Sequence, residues 1–273
     1  MKRAERAAPP FSSGYGNKTL EFFGREHYTG TEHYNRPAGR ESPGLGGTGI
    51  MMGVIFDFNG TLFFDGEQQE RAWRLFAREA FGKEISDGEF RECVHGRNND
   101  FTMQHLAGKA LSARQVDEYV EEKETIYRRL CREDPARFHL ALGAEELLDE
   151  LRERGIPRTI ATASRRGNVD FYIESFRLER WFDVEKLVYD DGTILGKPAP
   201  DFYLRAAETL GLEPKNCIVF EDAVSGLRAA AAAGAGKVIA VAPEERREAF
   251  ERMPEVYEVI PNFHEFDRLL LRE

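Results

Sequence analysis

A chain of 273 residues with a formal net charge of −10 and a sequence pI of about 5.3 can bury one large core with an inserted domain. The acidic balance argues against general binding to nucleic acid or to an anionic membrane. No apolar run approaches the roughly 20 residues that span a bilayer, and no apolar signal-peptide centre opens the chain.

Residues 1–50 are rich in Gly and Pro and hold no sustained helix or strand period. Such a segment cannot bury enough surface to offset its ordering entropy, so it reads as a disordered extension. Alternatively, it is upstream sequence read from an early start, a reading that Met51-Met52 makes attractive. From Gly53 the chain alternates strand and helix. Strand-like runs cover Gly53–Phe58, Arg158–Thr162, Cys217–Phe220, Lys237–Val241 and Val256–Ile260. Helical patterns cover Ala144–Arg154, Asn168–Phe176, Asp201–Leu210, Ala223–Ala233, Glu244–Arg252 and Phe263–Leu271. Apolar strands alternating with helices imply a parallel sheet covered on both faces, an α/β class. Gly155, Gly211 and Gly234 stand where helices should end.

Residues 66–135 break the rhythm with an all-helical pattern. Ala72, Trp73, Phe76, Ala77, Ala80 and Phe81 share one helical face, and Val116, Tyr119, Val120 and Tyr127 mark another. An inserted helical cap at this point can close over the first strand's end and exclude water. The expected division is therefore 1–50 as an extension, 51–65 with 136–273 as the core, and 66–135 as the cap. Cys93, Cys131 and Cys217 lie far apart without Cys-x-x-Cys spacing, which suits reduced structural thiols and a cytoplasmic setting.

Four positions carry candidate chemistry. The run Val54-Ile55-Phe56 ends in Asp57 and the turn Phe58-Asn59-Gly60-Thr61, which delivers one carboxylate to the carboxyl edge of a sheet. A bare turn or cap is the plainer reading of Asp57 alone. Ile160-Ala161-Thr162-Ala163-Ser164 ends a second strand in hydroxyls before a helix, an anion site or an ordinary cap, with the cap fitting Ser164 better. In Gly196-Lys197-Pro198-Ala199-Pro200, two prolines fix the backbone that holds Lys197. Ile218-Val219-Phe220 ends in Glu221-Asp222, adjacent acids that suit a hard cation such as Mg²⁺ or else complement a helix dipole. Together these supply a nucleophile, a hydroxyl, a lysine and metal-binding acids, the set that phosphoryl transfer needs.

These motifs, in this order from Val54 onward, resemble the haloacid dehalogenase superfamily, in its helical-cap branch of β-phosphoglucomutase-like phosphatases and mutases. The resemblance implies a Rossmann-like three-layer parallel-sheet core and an inserted cap. It implies that Asp57 forms an aspartyl-phosphate, and that Thr162 and Lys197 hold the phosphoryl group. Asp57, Glu221, Asp222 and the main-chain carbonyl of Asn59 would bind Mg²⁺. Thr61, Ala163, Gly96 and Arg97 are the candidate substrate-binding positions, the cap loop around Arg97 reading either as a grip on a second anionic group or as a solvated helix–helix turn.

Asn59 departs from the pattern, which has a second Asp there. An amide cannot pass a proton to a leaving oxygen. The loss typically costs about 10²- to 10⁴-fold in rate. Three outcomes follow: substrates with good leaving groups such as acyl or anomeric phosphates, a substitute acid from His95 or Asp65, or ligand binding with little turnover. Gln69 stands four residues before Trp73, where mutases of the group carry His. Hydrolysis of a small phosphorylated metabolite is therefore expected, with phosphohexomutase or weakly active binding protein as alternatives. A monomer or weak dimer is expected, with no nucleic-acid or membrane partner.

Overall fold

The structure is a computed structural model that describes residues 52–94 and 99–272. The expected extension at 1–50 and the loop residues His95, Gly96 and Arg97 lie outside the described residues. The core is one parallel sheet of six strands in the order β3-β2-β1-β4-β5-β6. The strands are β1 (Gly53–Phe56), β2 (Arg158–Arg165), β3 (Val188–Asp190), β4 (Cys217–Glu221), β5 (Lys237–Val241) and β6 (Glu258–Ile260). β1 is central, and Phe56 lies across from Ile160 on one side and Phe220 on the other.

Strand side chains alternate between faces, so each strand feeds two cores. Val54, Phe56, Ile160, Ile218 and Phe220 enter the larger apolar cluster. There Phe56 stacks on Phe220 with ring centroids 5.1 Å apart, over Leu147, Leu148 and Leu151 of α5 (Ala144–Glu153). Burying a side chain of this size contributes about 1.5–3 kcal/mol. Ile55, Ala161, Val219 and Ala240 enter the second cluster. Its partners are Ala206 and Ala207 of α7 (Asp201–Leu210) and Ala229 and Ala230 of α8 (Val224–Ala232). Small side chains let these helices pack close to the sheet. The remaining core helices are α6 (Arg166–Phe176) and α9 (Glu244–Glu251).

Between β1 and α5 the regular elements among the described residues are all helical. They form α1 (Gly66–Phe81), α2 (Asp87–Glu89), a π-helical turn (Phe90–Val94), α3 (Asn99–Ala107) and α4 (Ala113–Glu133). The apolar stripe Ala72, Trp73, Phe76 and Ala77 of α1 is buried, and Tyr119 of α4 meets Phe76 and Phe81 edge-on at 5.9 and 5.0 Å. α4 begins at a capping box in which Ser112 and Gln115 satisfy each other's backbone.

A polar chain ties this block to the core. Lys123 of α4 donates to Gln69 of α1 at 2.9 Å and pairs with Glu124 at 2.7 Å. Glu124 accepts from Asn168 of α6 at 2.8 Å, and Asn168 accepts from Arg128 at 2.8 Å. Buried Lys123 also lies 4.9 Å from the Trp73 ring, so its charge is held by carboxylate and aromatic face together.

Some expected elements differ. Helix Asp201–Leu210 and strand Lys237–Val241 match to the residue. β1 stops at Phe56, although Asp57 N–H still reaches Phe220 O at 2.9 Å. β2 runs on to Arg165, so Ser164 is not a helix cap. β6 begins at Glu258 rather than Val256. The expected helix Phe263–Leu271 is instead loop followed by a 3₁₀ turn at Arg268–Arg272. Asn262 and Asp267 accept from the N–H groups of His264 and Leu269 at 3.0 and 2.9 Å, and such Asx turns compete with helix. Three-residue β3 was not expected, because it has no apolar run to announce it. Among the described residues no helix is long and apolar enough to cross a membrane.

Candidate active site

The chain leaves β1 to one neighbour as β2 and to the other as β4, so the sheet order reverses at β1. Open α/β sheets form their crevice at that point, outside the carboxyl ends of the strands. Asp57 follows β1, Thr162 lies in β2, and Glu221 ends β4 with Asp222 next in the chain. Lys197 stands in the Gly196–Pro200 segment that leads into α7.

These residues converge. Lys197 Nζ donates to Asp57 Oδ1 at 2.6 Å and to Glu221 Oε1 at 2.7 Å. One carboxylate oxygen from each of Asp57, Glu221 and Asp222 falls within 4.8 Å of the others. Glu221 Oε2 accepts from the Ala223 N–H at 2.6 Å, and Asp222 Oδ1 accepts from the Thr61 hydroxyl at 3.3 Å. Three carboxylates thus face one ammonium. Burial pushes Asp57 up to about 7, against the pull of Lys197. Burial and the neighbouring Glu221 push Asp222 well above the usual carboxylate range. For Lys197, burial opposes the charge, but Asp57 and Glu221 outweigh it and hold its pKa well above the usual value. This cluster has excess negative charge and only hard oxygen donors, which fits a small divalent cation such as Mg²⁺.

Two glycines make room for the acids. A Cβ on Gly226 of α8 would overlap the Glu221 carboxylate. Gly60 has φ +79°, and a Cβ there would overlap Asp222. Gly226→Ala is expected to displace Glu221 and to cost about 1–3 kcal/mol by overpacking. Its readouts are a lower melting temperature and weaker binding of Mg²⁺ in titration calorimetry, and wild-type values in both would sink this account of Gly226.

Asn59 sits at the centre of a second network. Its Nδ2 donates to Asp65 Oδ2 at 2.7 Å and to Tyr172 Oη at 2.8 Å, with Tyr127 Oη at 3.3 Å. Its Oδ1 accepts from the Ser164 hydroxyl at 2.8 Å. Asp65 Oδ2 also accepts from Tyr127 at 2.6 Å and from Gln69 at 3.0 Å. Burial raises the Asp65 pKa, while these donors work against the shift. Phe58 stacks on Tyr172 at 4.3 Å and braces the network from the turn itself.

The expected residues therefore separate into groups. Asp57, Lys197, Glu221 and Asp222 are brought together at the strand ends. Thr162 is buried in β2, and its Oγ1 accepts the Ser164 N–H at 3.1 Å. Ala163 is exposed, whereas Thr61 is fully buried against Asp222. His105 and His139 hydrogen bond with Glu89 and with the Leu140 carbonyl. Sequence reasoning missed Tyr127, Tyr172 and Ser164 as partners of Asn59. Tyr127 was legible only as part of a helical face, and nothing in the sequence aims it at residue 59.

Comparison with known proteins agrees with this geometry. The family profile described as haloacid dehalogenase-like hydrolase matches residues 51–234. A phosphorylated carbohydrates phosphatase of Thermotoga maritima is 29% identical over 70% of this chain and 85% of its own length. Hexitol phosphatase A of Escherichia coli is 30% identical over 71% of this chain and 84% of its own. Among solved structures, a HAD hydrolase of family IA, variant 3, from Entamoeba histolytica superposes with a TM-score of 0.76 at 38% identity. That match covers 81% of this chain and 97% of the other. With the family matched over most of its length and the sheet, the reversal point and the acidic cluster in place, the chain belongs to the haloacid dehalogenase-like hydrolases.

Proposed function

We propose that the protein is a Mg²⁺-dependent phosphatase of small phosphorylated metabolites and works through an aspartyl-phosphate on Asp57. The observation that carries this reading is the buried Asp57 carboxylate, held by Lys197 at the carboxyl edge of the sheet beside Glu221 and Asp222. Asp57 attacks phosphorus opposite the leaving oxygen. The Thr162 hydroxyl and Lys197 ammonium hold the phosphoryl oxygens as charge develops on them. Asp57, Glu221, Asp222 and the Asn59 carbonyl would hold Mg²⁺, which when bound neutralises phosphoryl charge. Asn59 stands where a proton-transferring Asp is usual, and this favours substrates whose leaving group needs no proton. Arg97 and Gly96 are the cap positions assigned to the rest of the substrate, beside Thr61 and Ala163 in the core.

The test is free-phosphate release across a panel of phosphorylated sugars, acyl phosphates and anomeric phosphates with Mg²⁺. Turnover that depends on Asp57 supports the reading, and a silent panel overturns it.

Mg²⁺ binding should also depend on pH in a defined direction. In the metal-free fold Asp57 holds its proton up to about 7, against an ordinary value of 3.8. Between these values the fold binds a proton that the unfolded chain has lost, so the contribution of Asp57 to metal-free stability falls as pH rises from about 4 to about 7. Metal binding must displace that proton. The Asp57 proton alone should therefore make calorimetric Mg²⁺ affinity climb by up to about tenfold per pH unit below about 7, and Asp222, also raised, should steepen the climb. A flat profile between pH 5.5 and 8.5 would count against Asp57 as a ligand.

A further inference from the structure

The role of Asn59 can be read from its hydrogen bonds. Its two amide hydrogens are directed to Asp65 and Tyr172, and its carbonyl oxygen accepts from Ser164. The amide is thus held at both ends by side chains. Asp65 Oδ2 accepts here, so the donating end of the amide faces it. Asp65 is buried in the same network. It is 2% exposed, and Oδ2 already accepts from Asn59, Tyr127 and Gln69. Among the described residues Lys197 is the side chain that hydrogen bonds to Asp57, and a charged lysine has no acceptor for a proton.

This bears unequally on the two half-reactions of the proposed phosphatase. In the first, the Asp57 carboxylate forms an oxygen–phosphorus bond, and the bond to the leaving group breaks with its electron pair. An alcohol leaving group must be given a proton, whereas a carboxylate leaves as a stable anion. In the second, water adds to phosphorus, the pair in the Asp57–phosphorus bond returns to Asp57, and the water must lose a proton. Asn59, an amide, cannot take it. Resting on the phosphatase reading, we infer that Asp57 accepts a phosphoryl group from acyl phosphates and retains it as a long-lived phosphoenzyme, because Asn59 is locked and cannot activate water. The protein is then a phosphoryl acceptor selective for acyl phosphate donors, with release as its slow step.

The probe is acetyl phosphate with Mg²⁺, and the readout is intact mass after rapid desalting. Wild type should gain one phosphoryl group that survives desalting, and Asp57→Asn should gain none. A sugar monoester at the same concentration should load far less. The adduct should decay at least about 10²-fold more slowly in wild type than in a variant with an acid at position 59. Asn59→Asp alone sets two carboxyl groups against each other, so Asn59→Asp combined with Asp65→Asn, which keeps one acid and one amide in the pair, is measured beside it. No adduct on wild type, an adduct that persists in Asp57→Asn, or equal decay in wild type and the folded acid variant would each overturn the inference. The two readings fail separately: phosphate release that depends on Asp57 with no lasting adduct on wild type overturns this inference and leaves the phosphatase reading standing, whereas loading or release that persists in Asp57→Asn removes both.

Discussion

Asp57→Asn should abolish phosphate release while leaving the fold intact. The substitution keeps the shape of the side chain but turns the carboxylate proposed to attack phosphorus into an amide. Loss of a nucleophile from a cooperating site costs on the order of 10⁴- to 10⁶-fold in rate. Stability should move little, and for a definite reason. Asp57 is a desolvated carboxylate pushed up to about 7, so its charge is a cost to the metal-free fold above that pH. Lys197 keeps Glu221 as a partner at 2.7 Å after the change. Steady-state phosphate release and a thermal melt at pH 8 check the two halves together. Activity within tenfold of wild type would remove Asp57 from the chemistry, and an unfolded variant would contradict the account of its burial.

Lys197→Met should produce the largest loss of stability of any single change at the site. The lysine side chain is 8% exposed and bridges Asp57 and Glu221, with Asp222 beside them. Removing it leaves the buried carboxylates without a cation, and such breakage typically costs about 3–5 kcal/mol. In a domain of this size the melting temperature should drop by roughly 10 °C. Mg²⁺ should restore part of the loss, because it supplies the missing charge to the same oxygens. Lower pH should do so as well, because Asp57 then takes up a proton and one repulsion disappears. Melts at pH 6 and pH 8, with and without Mg²⁺, give four values with a required order. A variant as stable as wild type at pH 8 without metal would show that the lysine is dispensable to the fold.

The chemistry-bearing strand ends were readable because each sits where an apolar run stops. Val54-Ile55-Phe56 before Asp57 and Ile218-Val219-Phe220 before Glu221 announce both the strand and its end. The same logic fails for β3, where Val188-Tyr189-Asp190 is too short to carry a pattern, and for residues 263–271, where Asn262 and Asp267 turn the chain locally. The departure at Asn59 was legible as one letter. Its consequence was not, since Asp65, Ser164, Tyr127 and Tyr172 come to it from a loop, a strand and two helices far apart in the chain. Long-range polar partners leave no periodic trace, and spacing alone cannot assign them.

The polar chain from Gln69 through Lys123, Glu124 and Asn168 to Arg128 has a thermodynamic consequence. It links α1, α4 and α6 by buried or half-buried groups, and separating the helices breaks these hydrogen bonds together with the apolar packing around them. Each such bond contributes about 0.5–1.5 kcal/mol net, more when charged. The inserted helices and the sheet should therefore unfold as one cooperative unit. Amide hydrogens in the middle of α4 should exchange with solvent at rates close to those of β1 and β4, and a single calorimetric transition should cover both.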